Sequence, residues 1–146
     1  MRIGRRTAWA GLVLGLLALA VSLQAQKGDT YKARLTAVPA DARTRPSLAG
    51  IGSATATLSG TKLSVTGMFE GLLSPATMAQ LHAAVAAGVR GPVIADLTIP
   101  KANSGSISGS AELTAQQVED LRKGGLYIEI HSEKAPDGVI WGWLIK

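Results

Sequence analysis

The chain has 146 residues, 47% of them hydrophobic and 17% charged, with a formal net charge of +5, 17 glycines and no cysteine. This is the composition of one small globular domain rather than of a disordered chain. Without cysteine there is no disulfide framework, thiolate metal site, iron–sulfur cluster or cysteine nucleophile, and with only His82 and His131 a three-histidine metal site is excluded as well.

Arg2, Arg5 and Arg6 precede an uncharged stretch over residues 7–26 that is rich in Leu, Ala and Val. That is the pattern of a secretory signal, with cleavage expected after Ala25. The rival reading is an uncleaved N-terminal hydrophobic helix that anchors the chain in the inner membrane through residues 7–25, its arginines staying on the cytoplasmic side. Both put the domain over residues 26–146 outside the cytoplasm, periplasmic or secreted. The Arg5-Arg6 pair is followed by Thr7-Ala8-Trp9, a poor fit to twin-arginine export. Removing residues 1–25 takes three arginines and no acid, leaving 12 basic against 10 acidic residues, or +2. The remaining cations are scattered along the chain and no basic stripe tracks a phosphate backbone, so no nucleic-acid partner is expected.

The mature region reads as β structure with one short helix. Tyr31, Ala33, Leu35 and Ala37 alternate with polar residues, as in a strand with one face buried. Gly52, Ala54, Ala56 and Leu58 do the same. After the turn Ser59-Gly60-Thr61 so do Leu63, Val65, Gly67 and Phe69, which predicts a hairpin. The polar segment over residues 40–47, with Pro39 and Pro46, reads as a loop. Further strands are predicted at 77–83, 93–97, 106–113, 126–132 and 139–145, with a turn at Ala135-Pro136-Asp137-Gly138. Between the strands at 106–113 and 126–132, Thr114 and Gln117 form a capping box, Leu113 and Val118 a hydrophobic staple, and Gly124 a stop, so a helix is predicted there. Seven or eight short strands at this spacing make an all-β sandwich or barrel.

Several segments occur together in one order: Tyr31-Lys32-Ala33-Arg34-Leu35, Gly71-Leu72 with Ser74-Pro75, Ala79-x-x-His82, Gly91-Pro92-Val93-Ile94, Glu112-Leu113-Thr114, Leu126-Tyr127-Ile128-x-Ile130-His131-Ser132 and Pro136-x-Gly138-x-Ile140-x-Gly142. Together they resemble the CHRD domain, named after chordin and widespread in secreted bacterial proteins, over roughly residues 31–146. The resemblance implies an exported immunoglobulin-like or Greek-key β-sandwich with no established catalytic activity across the bacterial members. It also implies a difference at the first histidine motif: the family typically carries Ala-His-Ile-His where this chain has Ala79-Gln80-Leu81-His82. The arrangement is similar to the copper side of the Cu/Zn superoxide dismutases, but the bridging histidine and the zinc ligands have no counterparts here.

Within strands, Gln80 shares a face with His82, and Glu129 shares one with His131, so a copper or zinc site at His82 and His131, completed by Gln80 and Glu129, requires only that the two strands lie close. An amide oxygen is a poor copper ligand, which weakens that site. The alternative is that both histidines simply hydrogen-bond at a strand end. No nucleophile elbow or phosphate-cradling loop is present, so no catalytic residue is expected.

The last predicted strand departs from the family's polar pattern. If Ile140, Gly142 and Leu144 face the core, then Val139, Trp141, Trp143 and Ile145 form an apolar outer face. Such a face suits a protein partner or a membrane complex; cover by the helix or by residues 83–90 is the other reading. Two functions follow: a non-catalytic exported interaction module, an accessory subunit of a membrane-associated complex, or a periplasmic copper- or zinc-binding protein that uses His82 and His131.

Overall fold

A computed structural model describes residues 27–146; the N-terminal hydrophobic helix expected from the sequence falls outside the described residues. Eight antiparallel strands follow in chain order: β1 (Asp29–Ala37), β2 (Ile51–Ser59), β3 (Lys62–Glu70), β4 (Ala76–Ala83), β5 (Val93–Leu97), β6 (Gly105–Glu112), β7 (Leu126–Ser132) and β8 (Ala135–Trp143), with helix α1 (Ala115–Arg122) between β6 and β7. Their order in the sheet is β5-β4-β7-β8-β1-β2-β3-β6. The sheet folds into two layers, β1-β2-β3-β6 and β5-β4-β7-β8. At one side β1 joins β8 through Thr36–Trp141 and Ala37–Ile140. At the other, Thr98 and Ser108 exchange backbone hydrogen bonds of 2.7 and 3.0 Å, so the sheet almost closes on itself. Non-consecutive neighbours (β3 with β6, β4 with β7, β1 with β8) make this a Greek-key arrangement, as expected.

The inward faces meet in one core. Tyr31, Leu35, Leu63, Val65, Phe69 and Ile107 from the first layer pack with Leu81, Ile128, Ile130, Ile140 and Leu144 from the second. Alternation in β1, β2 and β3 puts their polar residues in water, except that Ala37 is exposed and Val38 is buried in its stead. The β2–β3 turn is the two-residue Gly60-Thr61 loop, with Gly60 at φ +63°. Helix α1 has the reciprocal cap: Gln117 N–H donates to Thr114 Oγ1 at 3.2 Å, and Thr114 N–H donates to Gln117 Oε1 at 2.9 Å. It ends in a Schellman pair, Gly125 N–H to Asp120 O and Gly124 N–H to Leu121 O. Val118 and Leu121 anchor the helix to the core.

The main departure from the sequence pattern is β8. The turn sits at Glu133-Lys134, and β8 starts at Ala135, four residues before the predicted start. Ser132 pairs with Ala135 while Ile130 pairs with Ile140, so the strand carries a bulge over residues 136–139. Pro136, which has no N–H to donate, and Gly138 at φ +116° form that bulge. The extra residues reverse the alternation. Val139, expected on the outer face, is instead fully buried in the main core alongside Ile140.

Candidate functional site

β4 and β7 are neighbours in a register that sets Gln80 opposite Glu129, His82 opposite Tyr127 and Met78 opposite His131. β7 and β8 set Glu129 opposite Trp141 and Tyr127 opposite Trp143. Residues directly across an antiparallel pair point to the same side. The polar candidates and the tryptophans therefore share the outer face of the second layer.

That face is largely covered. Val38, Ala84, Tyr127 and Trp141 form a second buried cluster, with Leu48 and Trp143 packed on it. Tyr127 stacks on His82 at 4.7 Å and on Trp143 at 4.9 Å, and meets Trp141 edge-on at 5.8 Å. Burial pushes the Tyr127 phenol above its ordinary range. Trp141 is 8% exposed and Trp143 half-buried, while Ile145 is 53% exposed. Val139, Trp141, Trp143 and Ile145 thus do not make one outward surface: the bulge turns the first inward, and the segments around Val38, Leu48 and Ala84 cover the second.

Under that cover, His82, Glu129 and His131 converge, with one ligand atom of each within 4.8 Å of the others. Each ring is oriented through Nδ1. His82 Nδ1 donates to Gly91 O at 2.9 Å and His131 Nδ1 to Pro136 O at 2.8 Å. A carbonyl only accepts, so both Nδ1 atoms carry a proton, and in the neutral ring it is Nε2 that has the free lone pair. Both Nε2 atoms and both Glu129 carboxylate oxygens are buried without a hydrogen-bond partner. His82 Nε2 lies 3.8 Å from Glu129 Oε2, too far for a hydrogen bond.

Acceptors gathered at one buried spot repel one another unless a cation lies near them. Arg90 supplies part of that charge: its Nη1 is 2.7 Å from Glu129 Oε1, close but not aligned as a hydrogen bond. Its guanidinium also lies 5.5 Å from the centre of the Trp141 ring. Gly91, the next residue, is held at both ends, accepting from His82 and donating its N–H to Tyr127 Oη at 3.0 Å. Gly138 leaves the room that Glu129 needs, because a Cβ there would overlap Glu129 Oε1.

Of the four residues proposed from strand parity, three come together. Gln80 is on the same face, but its Nε2 donates to Asp96 Oδ1 on β5 at 2.8 Å and so turns away from the cluster. Arg90 and the β8 bulge were not foreseen, since a loop arginine and a bulge leave no periodic trace.

The molecule is thus a Greek-key β domain carrying a buried two-histidine, one-carboxylate cluster on its outer face. Residues 31–144 match the model of the CHRD domain, and the chain belongs to that family. Comparison with curated proteins and with solved structures found no match.

Proposed function

We propose that this CHRD domain is an exported, non-catalytic module that reversibly binds one divalent transition-metal ion through His82 Nε2, His131 Nε2 and Glu129. The observation that carries the reading is the grouping of two imidazole nitrogens and a carboxylate, buried together, with both rings oriented from behind by backbone carbonyls and the carboxylate ion-paired with Arg90. Two nitrogens and one oxygen suit zinc, copper(II) or ferrous iron better than calcium or magnesium. The Gly91 and Pro136 carbonyls behind the rings are the outer-shell partners that metal-binding histidines usually have. Bonds of about 2.0–2.1 Å bring tetrahedral ligand atoms to roughly 3.3 Å from one another, so loading draws the three side chains inward by about an ångström. Three protein ligands leave a position for an exchangeable ligand, which fits a site that takes up and releases its ion. Among the three, half-buried His131 marks the side of entry.

The rival reading, an accessory subunit that docks through its tryptophans, loses support from the cover over Trp141 and the burial of Val139. The two readings separate in a titration of zinc(II) and copper(II) into the chelator-stripped protein and its His131→Ala variant. One-to-one binding that collapses in the variant is the expected result. Absence of stoichiometric binding, or binding indifferent to the substitution, refutes the proposal.

A further inference from the structure

Beside the cluster, on the far side of the β8 bulge, lies a cavity of about 220 Å³ that the metal reading does not use. Arg43, Arg90 and Lys134 line it, against a single acid, Asp137. These cations come from three separate stretches: the loop after β1, the loop between β4 and β5, and the β7–β8 turn. Among the described residues, neither the Arg43 nor the Lys134 side chain forms an ion pair.

The walls are built rather than incidental. Asp41 Oδ1 accepts from the N–H groups of Arg43 and Thr44, both at 2.8 Å, which fixes the turn that carries Arg43. Lys134 N–H donates to the buried Ser74 Oγ at 2.9 Å, which fixes the other rim. Ser47 adds a hydroxyl to the lining, the Thr44 hydroxyl already donates to Asp41 Oδ1 at 3.1 Å, and Val38, Leu48 and Pro136 add apolar surface. Three cations lining one cavity, with the Ser47 hydroxyl and an apolar wall, are complementary to a small organic oxyanion.

We propose that this cavity binds a small carboxylate or phosphate compound, with Arg43 and Lys134 pairing to the oxyanion and the outer edge of Arg90 completing the site. The inference needs no bound metal, and Arg90, Pro136 and Gly138 border both sites. Its test is therefore run on metal-stripped protein from which the chelator has been removed, and at low ionic strength, following backbone amide resonances while inorganic phosphate, succinate or, as a control for ionic strength, chloride is added to the protein.

Saturable shifts at Thr44, Ser47, Lys134 and Gly138 with phosphate or succinate, but not chloride, are expected. The responding probe identifies the oxyanion class, and a response to both supports the shared chemistry. The Arg43→Ala/Lys134→Ala double variant, altered only at exposed positions, should weaken binding on the order of tenfold or more, and Asp137→Asn should strengthen it. The proposal is overturned if neither anion saturates these shifts below roughly 20 mM, a limit already weaker than ordinary specific binding. It is also overturned if the double variant binds as well as the parent, or if chloride reproduces the response.

Discussion

Gly138→Ala probes the bulge, the buried carboxylate and the metal-binding geometry together. The residue sits at φ +116°, where a side chain is strained, and a Cβ there would overlap Glu129 Oε1 and lie 3.2 Å from Arg90 Nη2. The backbone contributes about 1–3 kcal/mol. Forcing atoms into a packed site adds about 1–3 kcal/mol more, so a destabilisation near 4 kcal/mol is expected. Against a total stability of about 5–15 kcal/mol for a domain, that is a large fraction. Gly60→Ala is the internal reference: its φ is also positive, at +63°, but nothing lies within 4 Å of the added carbon, so only the backbone cost of about 1 kcal/mol remains. The assay is urea denaturation of both variants beside the parent, with zinc titrations of each. If Gly138→Ala costs no more than Gly60→Ala, or leaves zinc affinity unchanged, then Glu129 does not set the space under the bulge and the reasoning fails.

Trp141→Ala should cost about 3–5 kcal/mol in the same assay and Trp143→Ala clearly less, because the first is enclosed and the second half-exposed; equal losses would argue against a second packed cluster. Arg90→Ala leaves the buried Glu129 carboxylate without its cation, so about 3 kcal/mol should be lost without metal. Zinc should then raise the melting temperature of this variant more than that of the parent, and an equal rise would count against a shared carboxylate. Lys146 holds the Asp29 carboxyl below its ordinary range, first through a hydrogen bond and then through its charge. A lowered carboxyl contributes stability above its unfolded value and loses it as pH falls through the folded one. NMR titration of Lys146→Ala should therefore show Asp29 titrating at higher pH, whereas an unmoved midpoint would mean that the pair is not formed in solution. Metal affinity should fall on acidification, because protons compete for both imidazole nitrogens, and calorimetry across pH would show release of protons on binding.

Most strands were legible because one of their faces is wet. Tyr31, Ala33 and Leu35, or Leu63, Val65 and Phe69, alternate with polar residues that have no other constraint, so period alone identifies them. The helix was legible for a local reason too, since Thr114 and Gln117 satisfy each other's backbone within four residues. Site parity was equally readable: two residues apart on one strand, Glu129 and His131 share a face. What parity does not encode is where a side chain turns once there, and Asp96 on β5 draws Gln80 away. β8 was misread at its start because Pro136-Asp137-Gly138 has the local chemistry of a turn. The tertiary structure uses the same residues to bend a strand, offering the Pro136 carbonyl to His131 and clearing space for Glu129. Once a bulge is inserted, counting by twos fails, and Val139 lands on the opposite side from the one expected.

The closure of the sheet at Thr98 and Ser108 has a dynamic consequence. Two hydrogen bonds are all the backbone pairing described between those ends of the sheet, whereas β4, β7 and β8 are laddered on both sides and covered over much of both faces. Opening free energies should therefore be graded, with amides flanking the seam exchanging first and those of β7 last, near the global unfolding limit. An open seam frees the edges of β5 and β6, each able to accept a strand from another molecule. At high concentration or on mild heating, self-association should begin at this join while the histidine cluster, on β4 and β7 next to β5 but laddered on both sides, remains folded.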